Sequence, residues 1–168
     1  MSASEAFSVR RSIPSDRNAV ERITASSGMF SGEELEVALE VFDDAMNDPG
    51  SGYYHMMAEV AGEVRGYACH GPIEMTQSSF DLFWIAVDNE SRGHGLGRAL
   101  LAAAEVEAAS MGCRQLYVET AGKEEYLPTQ RFYERCGYTQ AAFLEDFYAP
   151  GDAKVIYVKL LGPAQVRS

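Results

Sequence analysis

The sequence predicts a mixed α+β fold of about seven strands and four helices, in one domain covering residues 1–168. Three observations lead there. Short apolar segments with strand character recur along the chain, and only four stretches between them carry helical periodicity. These elements run in the order β-α-α-β-β-β-α-β-α-β-β. The chain has 168 residues, 46% of them hydrophobic and 23% charged, which suits one domain with a sizeable core.

Phe7 to Ile13 alternates apolar and polar residues and reads as a first strand, closed by Pro14. Ser15-Asp16 offers an N-cap for a short helix with Val20 and Ile23 on its apolar stripe, and Ser27-Gly28 breaks it. Ser31 with Glu34 three residues on makes a capping-box pattern for a second helix, whose Leu35, Leu39 and Phe42 share a face. Asp48-Pro49-Gly50 ends it. Tyr53–Val60 and Val64–His70 read as a hairpin around Ala61-Gly62-Glu63. Phe80 to Val87 is nearly continuously apolar, as in a strand covered on both faces. A long helix from about Leu96 to Met111 follows, with Gly97, Leu100, Leu101, Ala104 and Ala108 on one side. Arg114–Glu119, a short helix over Pro128–Cys136, Thr139–Phe147 and Ala153–Leu161 complete the order.

No apolar run is long enough to cross a bilayer, and the N-terminus lacks the basic and apolar regions of a secretory signal. Cys69, Cys113 and Cys136 have no metal-ligand spacing, and neither do His55, His70 and His94, so reduced thiols in a cytoplasm are expected and no metal is. A formal net charge of −11 argues against nucleic acid or an anionic membrane as partner. Against that background the arginines at 92 and 98 are local exceptions. They flank Gly93-His94-Gly95-Leu96-Gly97, between a strand and a helix, where backbone N–H groups point at an anion. A nucleotide P-loop is excluded because Arg98-Ala99 replaces Lys-Ser or Lys-Thr, and a dinucleotide fingerprint fails because Arg98 stands where glycine or alanine is needed.

Arg92 through Gly97 match the Arg/Gln-x-x-Gly-x-Gly/Ala signature of the GCN5-related N-acetyltransferases (GNAT family). A second stretch, Tyr126 to Tyr138, resembles the same family's Asn-x-x-Ala-x-x-Leu/Phe-Tyr-x-x-x-Gly-Phe/Tyr motif, matching at Phe132, Tyr133, Gly137 and Tyr138. Tyr126 and Thr129 depart from it, which puts the usual side-chain contact to the pantetheine arm in question. The resemblance covers about residues 80 to 138. It implies a central, mostly antiparallel sheet and an N-acetyltransferase using acetyl-CoA as co-substrate. The pyrophosphate would sit on the N–H groups of residues 93–97, with Arg92 and Arg98 adding charge-assisted donors. The strand at Ile85, Ala86 and Val87 would offer backbone groups to the pantetheine arm. It would splay from the next strand to open a V, and the N–H near Val87 would face the oxyanion.

Tyr133 is the general-acid candidate, placed to protonate the leaving thiolate. For the general base there are two carboxylates. Asp81 occupies the position of the catalytic glutamate in histone-acetylating relatives, and Glu119 ends the neighbouring strand. Water relays replace a single base in many members. Phe143, Phe147 and Tyr148 with Glu145, Asp146 and Asp152, and the Met29-Phe30 turn, fall where the family's acceptor site occurs. The expectation is therefore direct attack of a small-molecule or protein amine on acetyl-CoA in a ternary complex. A homodimer is possible by the same resemblance. The alternative is a catalytically silent acyl-CoA-binding module of the same fold.

Overall fold

The structure is a computed structural model that describes residues 6–162. One sheet organises it, with strand order β1-β2-β3-β4-β5-β7-β6. The strands are β1 (Phe7–Arg11), β2 (Tyr54–Val60), β3 (Glu63–Pro72), β4 (Ser79–Val87), β5 (Gln115–Ala121), β6 (Thr139–Ala149) and β7 (Asp152–Leu160). The helices are α1 (Arg17–Ser26), α2 (Gly32–Asn47), α3 (Leu96–Ser110) and α4 (Leu127–Arg135). Every neighbouring pair is antiparallel except β4–β5, which is parallel because α3 carries the chain back across the sheet between them. The element order and the mostly antiparallel sheet expected from the sequence are both present.

The two faces of the sheet are covered by different helices. On one, Leu100, Leu101 and Ala104 of α3 pack on Phe80, Leu82, Leu116 and Val118, with Tyr133 of α4 in the same cluster. On the other, Val20 and Ile23 of α1 and Phe42 of α2 meet Met57, Tyr67 and Ala86. The small Ala104 and Ala108, both fully buried, let α3 lie close to the strands. The β2–β3 hairpin turns through Ala61 (φ 52°) and Gly62 (φ 81°), the two positive-φ positions of a tight turn between the paired Val60 and Glu63.

Three local expectations need correction. Asp16 does not cap α1 with its side chain. Its carboxylate accepts from both terminal nitrogens of Arg10 at 2.9 Å and from the Ile13 N–H at 2.8 Å, so a long-range ion pair takes the group that a cap would use. β5 runs on to Ala121, because Thr120 and Ala121 still find partners in Val155 and Lys154. Asp152 already belongs to β7, paired with Ala149, so the β6–β7 connection is shorter than the sequence suggests. Glu107, on the apolar side of α3, is buried and reaches His70 at 2.9 Å and Arg11 at 2.6 Å. These three residues form a bridge from α3 to the β1–β3 side of the sheet.

Candidate active site

The site begins as a fault in the sheet. Between Cys69↔Trp84 and His70↔Leu82 the β3–β4 register slips by one residue, leaving Phe83 as a bulge on β4. The bulge exchanges faces: Phe80 and Leu82 point to α3 before it, and Ile85 and Val87 after it. It also ends the pairing with β5, which covers only Ser79–Leu82 against Gln115–Val118. Beyond that point β4 stays with β3, while Glu119, Thr120 and Ala121 stay with β7. The two strands part into the V that the family resemblance implies.

A cleft of about 1160 Å³ runs through the opening. Phe83 to Val87 form one wall, and Val118 to Ala121 the other. On the α3 side it reaches the glycine loop. Gly93 (φ 81°) and Gly95 (φ 85°) are left-handed, and a Cβ at either would meet nothing within 4 Å, so conformation rather than space requires glycine there. Gly97 serves differently: a Cβ there would stand 3.5 Å from Phe132, at the contact between α3 and α4. Gly95 is the N-cap of α3 and has no side chain to cap it; the first helical bond runs from Ala99 N–H to Gly95 C=O at 3.1 Å. The N–H groups of Leu96, Gly97 and Arg98 are thus left for an anion. Arg92, Arg98 and Arg135 line the same end of the cleft. Arg92 donates to Ser27 C=O at 2.8 Å and Arg98 to Arg135 C=O at 3.3 Å, and among the described residues none of the three arginines has an acidic partner.

Tyr133 lines the same cleft. It is 6% exposed, its ring packed against Phe132, Tyr138 and Tyr157. Burial, with a smaller contribution from Cys136, holds the phenol well above its ordinary pKa, so it carries its proton throughout the physiological range. No hydrogen bond to another described residue engages its hydroxyl, which leaves the O–H available.

The opposite end of the cleft is acidic. Glu119 lines it and is gripped by Lys154 at 3.0 Å, and Asp152 lines it with Lys123 at 3.6 Å. Asp81 stands apart from the lining, half-buried. Burial first, then the charge of Glu119, raises its pKa, with Lys154 opposing. The two base candidates are therefore electrostatic neighbours, and Glu119 is the one on the wall. His94 is exposed and, unlike Gly93 and Gly95 beside it, is not among the residues that line the cleft. Of the expected acceptor residues Met29, Phe30, Tyr148 and Asp152 line the cleft; Phe143, Glu145, Asp146 and Phe147 do not.

Sequence reasoning missed Glu34, Trp84 and Glu125, all of which line the cleft. From the sequence Glu34 reads as the third residue of a capping box with Ser31. Ser31 does accept from the Glu34 N–H at 3.2 Å, but no return bond forms between described residues, which frees the carboxylate for the cleft. Trp84 was hidden in an apolar run. Nothing in the sequence marks Glu125, which enters through a 3₁₀ turn (Glu124–Tyr126) before α4.

The sequence model of the acetyltransferase (GNAT) family matches residues 18–138, which takes in the glycine loop, the V and Tyr133. The chain belongs to the acetyltransferase (GNAT) family. It is an acyl-CoA-dependent N-acyltransferase. A GNAT-family protein of known structure from Desulfovibrio desulfuricans is 41% identical and superposes with a TM-score of 0.90 over 94% of this chain and 100% of that one. The blasticidin-S acetyltransferase of Streptomyces morookaense is 38% identical over 101 residues, 60% of this chain and 68% of that protein. An aminoglycoside 6′-N-acetyltransferase solved with coenzyme A shares the fold at 16% identity, with a TM-score of 0.75 over 93% of this chain and 98% of that one. Within the GNAT fold of this chain, the glycine loop and the splayed strands are the parts that define the cleft.

Proposed function

We propose that this chain transfers an acetyl group from acetyl-CoA to an amine by direct attack in a ternary complex. One observation carries the reading: a single cleft is lined by an arginine-flanked helix N-terminus, by an acidic wall and by a buried, protonated tyrosine. The arginine end suits the pyrophosphate, held by the N–H groups of residues 93–98 and by Arg92, Arg98 and Arg135. The edge of β4 at Ile85, Ala86 and Val87, left without a strand partner by the V, suits the pantetheine arm. Tyr126 and Thr129 line the cleft where the family motif has asparagine and alanine, so the backbone edge carries more of that contact here.

Glu119 receives the proton of the ammonium, directly or through water, with Asp81 behind it as a charged neighbour. The nitrogen then attacks the thioester carbonyl, and the N–H near Val87 faces the oxyanion. Tyr133 gives its proton to the departing thiolate and is reprotonated from solvent. The transfer itself involves no enzyme nucleophile, in keeping with Cys136 packed against the core rather than activated. The relative named for blasticidin S supports an amine acceptor of some kind, small-molecule or protein. The free thiols of all three cysteines support a cytoplasmic setting. The charge of −11 supports a partner other than nucleic acid or an anionic membrane.

The test pairs a CoA binding titration with thiol release from acetyl-CoA across an amine panel. Binding together with acceptor-dependent release supports the transferase. Binding with no release on any amine would favour the silent acyl-CoA-binding module.

A further inference from the structure

We propose that the acceptor is a small polycation: an amine with at least one further positive charge several ångströms from the nitrogen that is acetylated. This rests on the transferase reading for the word acceptor, but the binding it predicts does not. Four carboxylates line the acceptor side of the cleft, Glu34, Glu119, Glu125 and Asp152. They come from α2, β5, a 3₁₀ turn and β7, so the tertiary fold and no local sequence run brings them together.

The four are unequally satisfied. Lys154 and Lys123 partner Glu119 and Asp152, while Glu34 and Glu125 have no ion-pair partner among the described residues. The convergence also reaches the neighbouring phenols. Burial first, then Glu125, Glu34 and Asp152, raises the pKa of Tyr126, and burial, then Glu119, Asp152 and Glu34, raises that of Tyr148, with lysines opposing in each case.

With Lys154 and Lys123 answering Glu119 and Asp152, a single ammonium at Glu119 leaves Glu34 and Glu125 without a counter-charge and repelling one another. A second cation, placed near Glu34 and Glu125, removes that repulsion and gains two attractions. The wall between the charges is aromatic, Phe30, Phe83, Tyr126 and Tyr148, which suits methylene spacers and alkylammonium faces.

The experiment is a fluorescence titration of the CoA-loaded protein, using its single tryptophan, Trp84, which lines the cleft. Ligands are spermidine, n-butylamine and a basic hexapeptide. Spermidine is expected to bind about 30-fold more tightly than n-butylamine at low ionic strength, with the margin shrinking as salt is added. Glu34→Gln combined with Glu125→Gln should raise the spermidine Kd about tenfold and leave that of n-butylamine nearly unchanged. Glu40→Gln, on the exposed side of α2, should change neither. Equal affinity for spermidine and n-butylamine, no spermidine binding, tighter binding of the hexapeptide, or a double variant that behaves as wild type would each overturn the proposal. The readout needs no turnover. Spermidine binding without thiol release would therefore sink the transferase reading alone, whereas acetylation of both amines with equal KM would sink this proposal alone.

Discussion

Tyr133 owes its assigned role to packing. Three aromatic neighbours and near-complete burial keep the phenol protonated, and the one side left open faces the cleft. Tyr133→Phe keeps the packing and removes the proton. It is expected to lower kcat by about 100-fold while leaving the Kd for CoA within about twofold, measured by steady-state kinetics and calorimetry. Unchanged kcat with a turned-over amine would remove Tyr133 from the mechanism. His55 makes a stability prediction from the same kind of reasoning. It is 3% exposed, set edge-on to Phe42 and stacked on Tyr67, and neither ring nitrogen has a partner among the described residues. Burial, and secondarily the charge of His70, pushes its pKa down to about 4 from 6.5. The unfolded chain therefore takes up a proton that the folded chain refuses. Stability contributed by neutral His55 is complete above pH 6.5 and is lost as pH falls toward 4, by roughly 3 kcal/mol in all. Urea unfolding of His55→Phe should be markedly flatter over that window than wild type; parallel curves would refute the assignment. At this scale the sequence was legible where a motif marked a position, as at Tyr133, which lines the cleft. It was illegible where one residue had two uses: the spacing of Ser31 and Glu34 signals a cap, and only tertiary placement turns the carboxylate outward.

Among the elements, the β4–α3 junction decides most. The bulge at Phe83 takes β4 off β5, and the left-handed glycines turn the chain into α3 with its first N–H groups unspent. These glycines are not equivalent. Gly95→Ala meets no steric obstacle but forces a side chain into φ 85°, at a cost of about 1–2 kcal/mol. A fall in melting temperature of roughly 2–8 °C and weaker CoA binding should follow, read by thermal denaturation with and without CoA. Gly97→Ala has helical φ and an ordinary 3.5 Å contact with Phe132, so its melting temperature should match or slightly exceed wild type. If the two variants behave alike, the loop is not strained as described. The glycine pattern made this junction visible in the sequence. The bulge was invisible, because an unbroken apolar run carries no alternation from which a change of face could be read.

At the scale of the whole molecule, a strongly acidic protein keeps three arginines without acidic partners among the described residues at one end of its cleft and gathers carboxylates at the other. The element order of this fold could be read from the sequence, since hydrophobic periodicity changes at each boundary. The strand order could not, because which edges pair is settled by long-range packing. The central claim is that both substrates occupy this one cleft together and react without an acetylated enzyme. Initial rates of thiol release with acetyl-CoA and spermidine varied together test it most directly. Intersecting double-reciprocal lines are the predicted result, and parallel lines, the signature of an acetyl-enzyme, would contradict it.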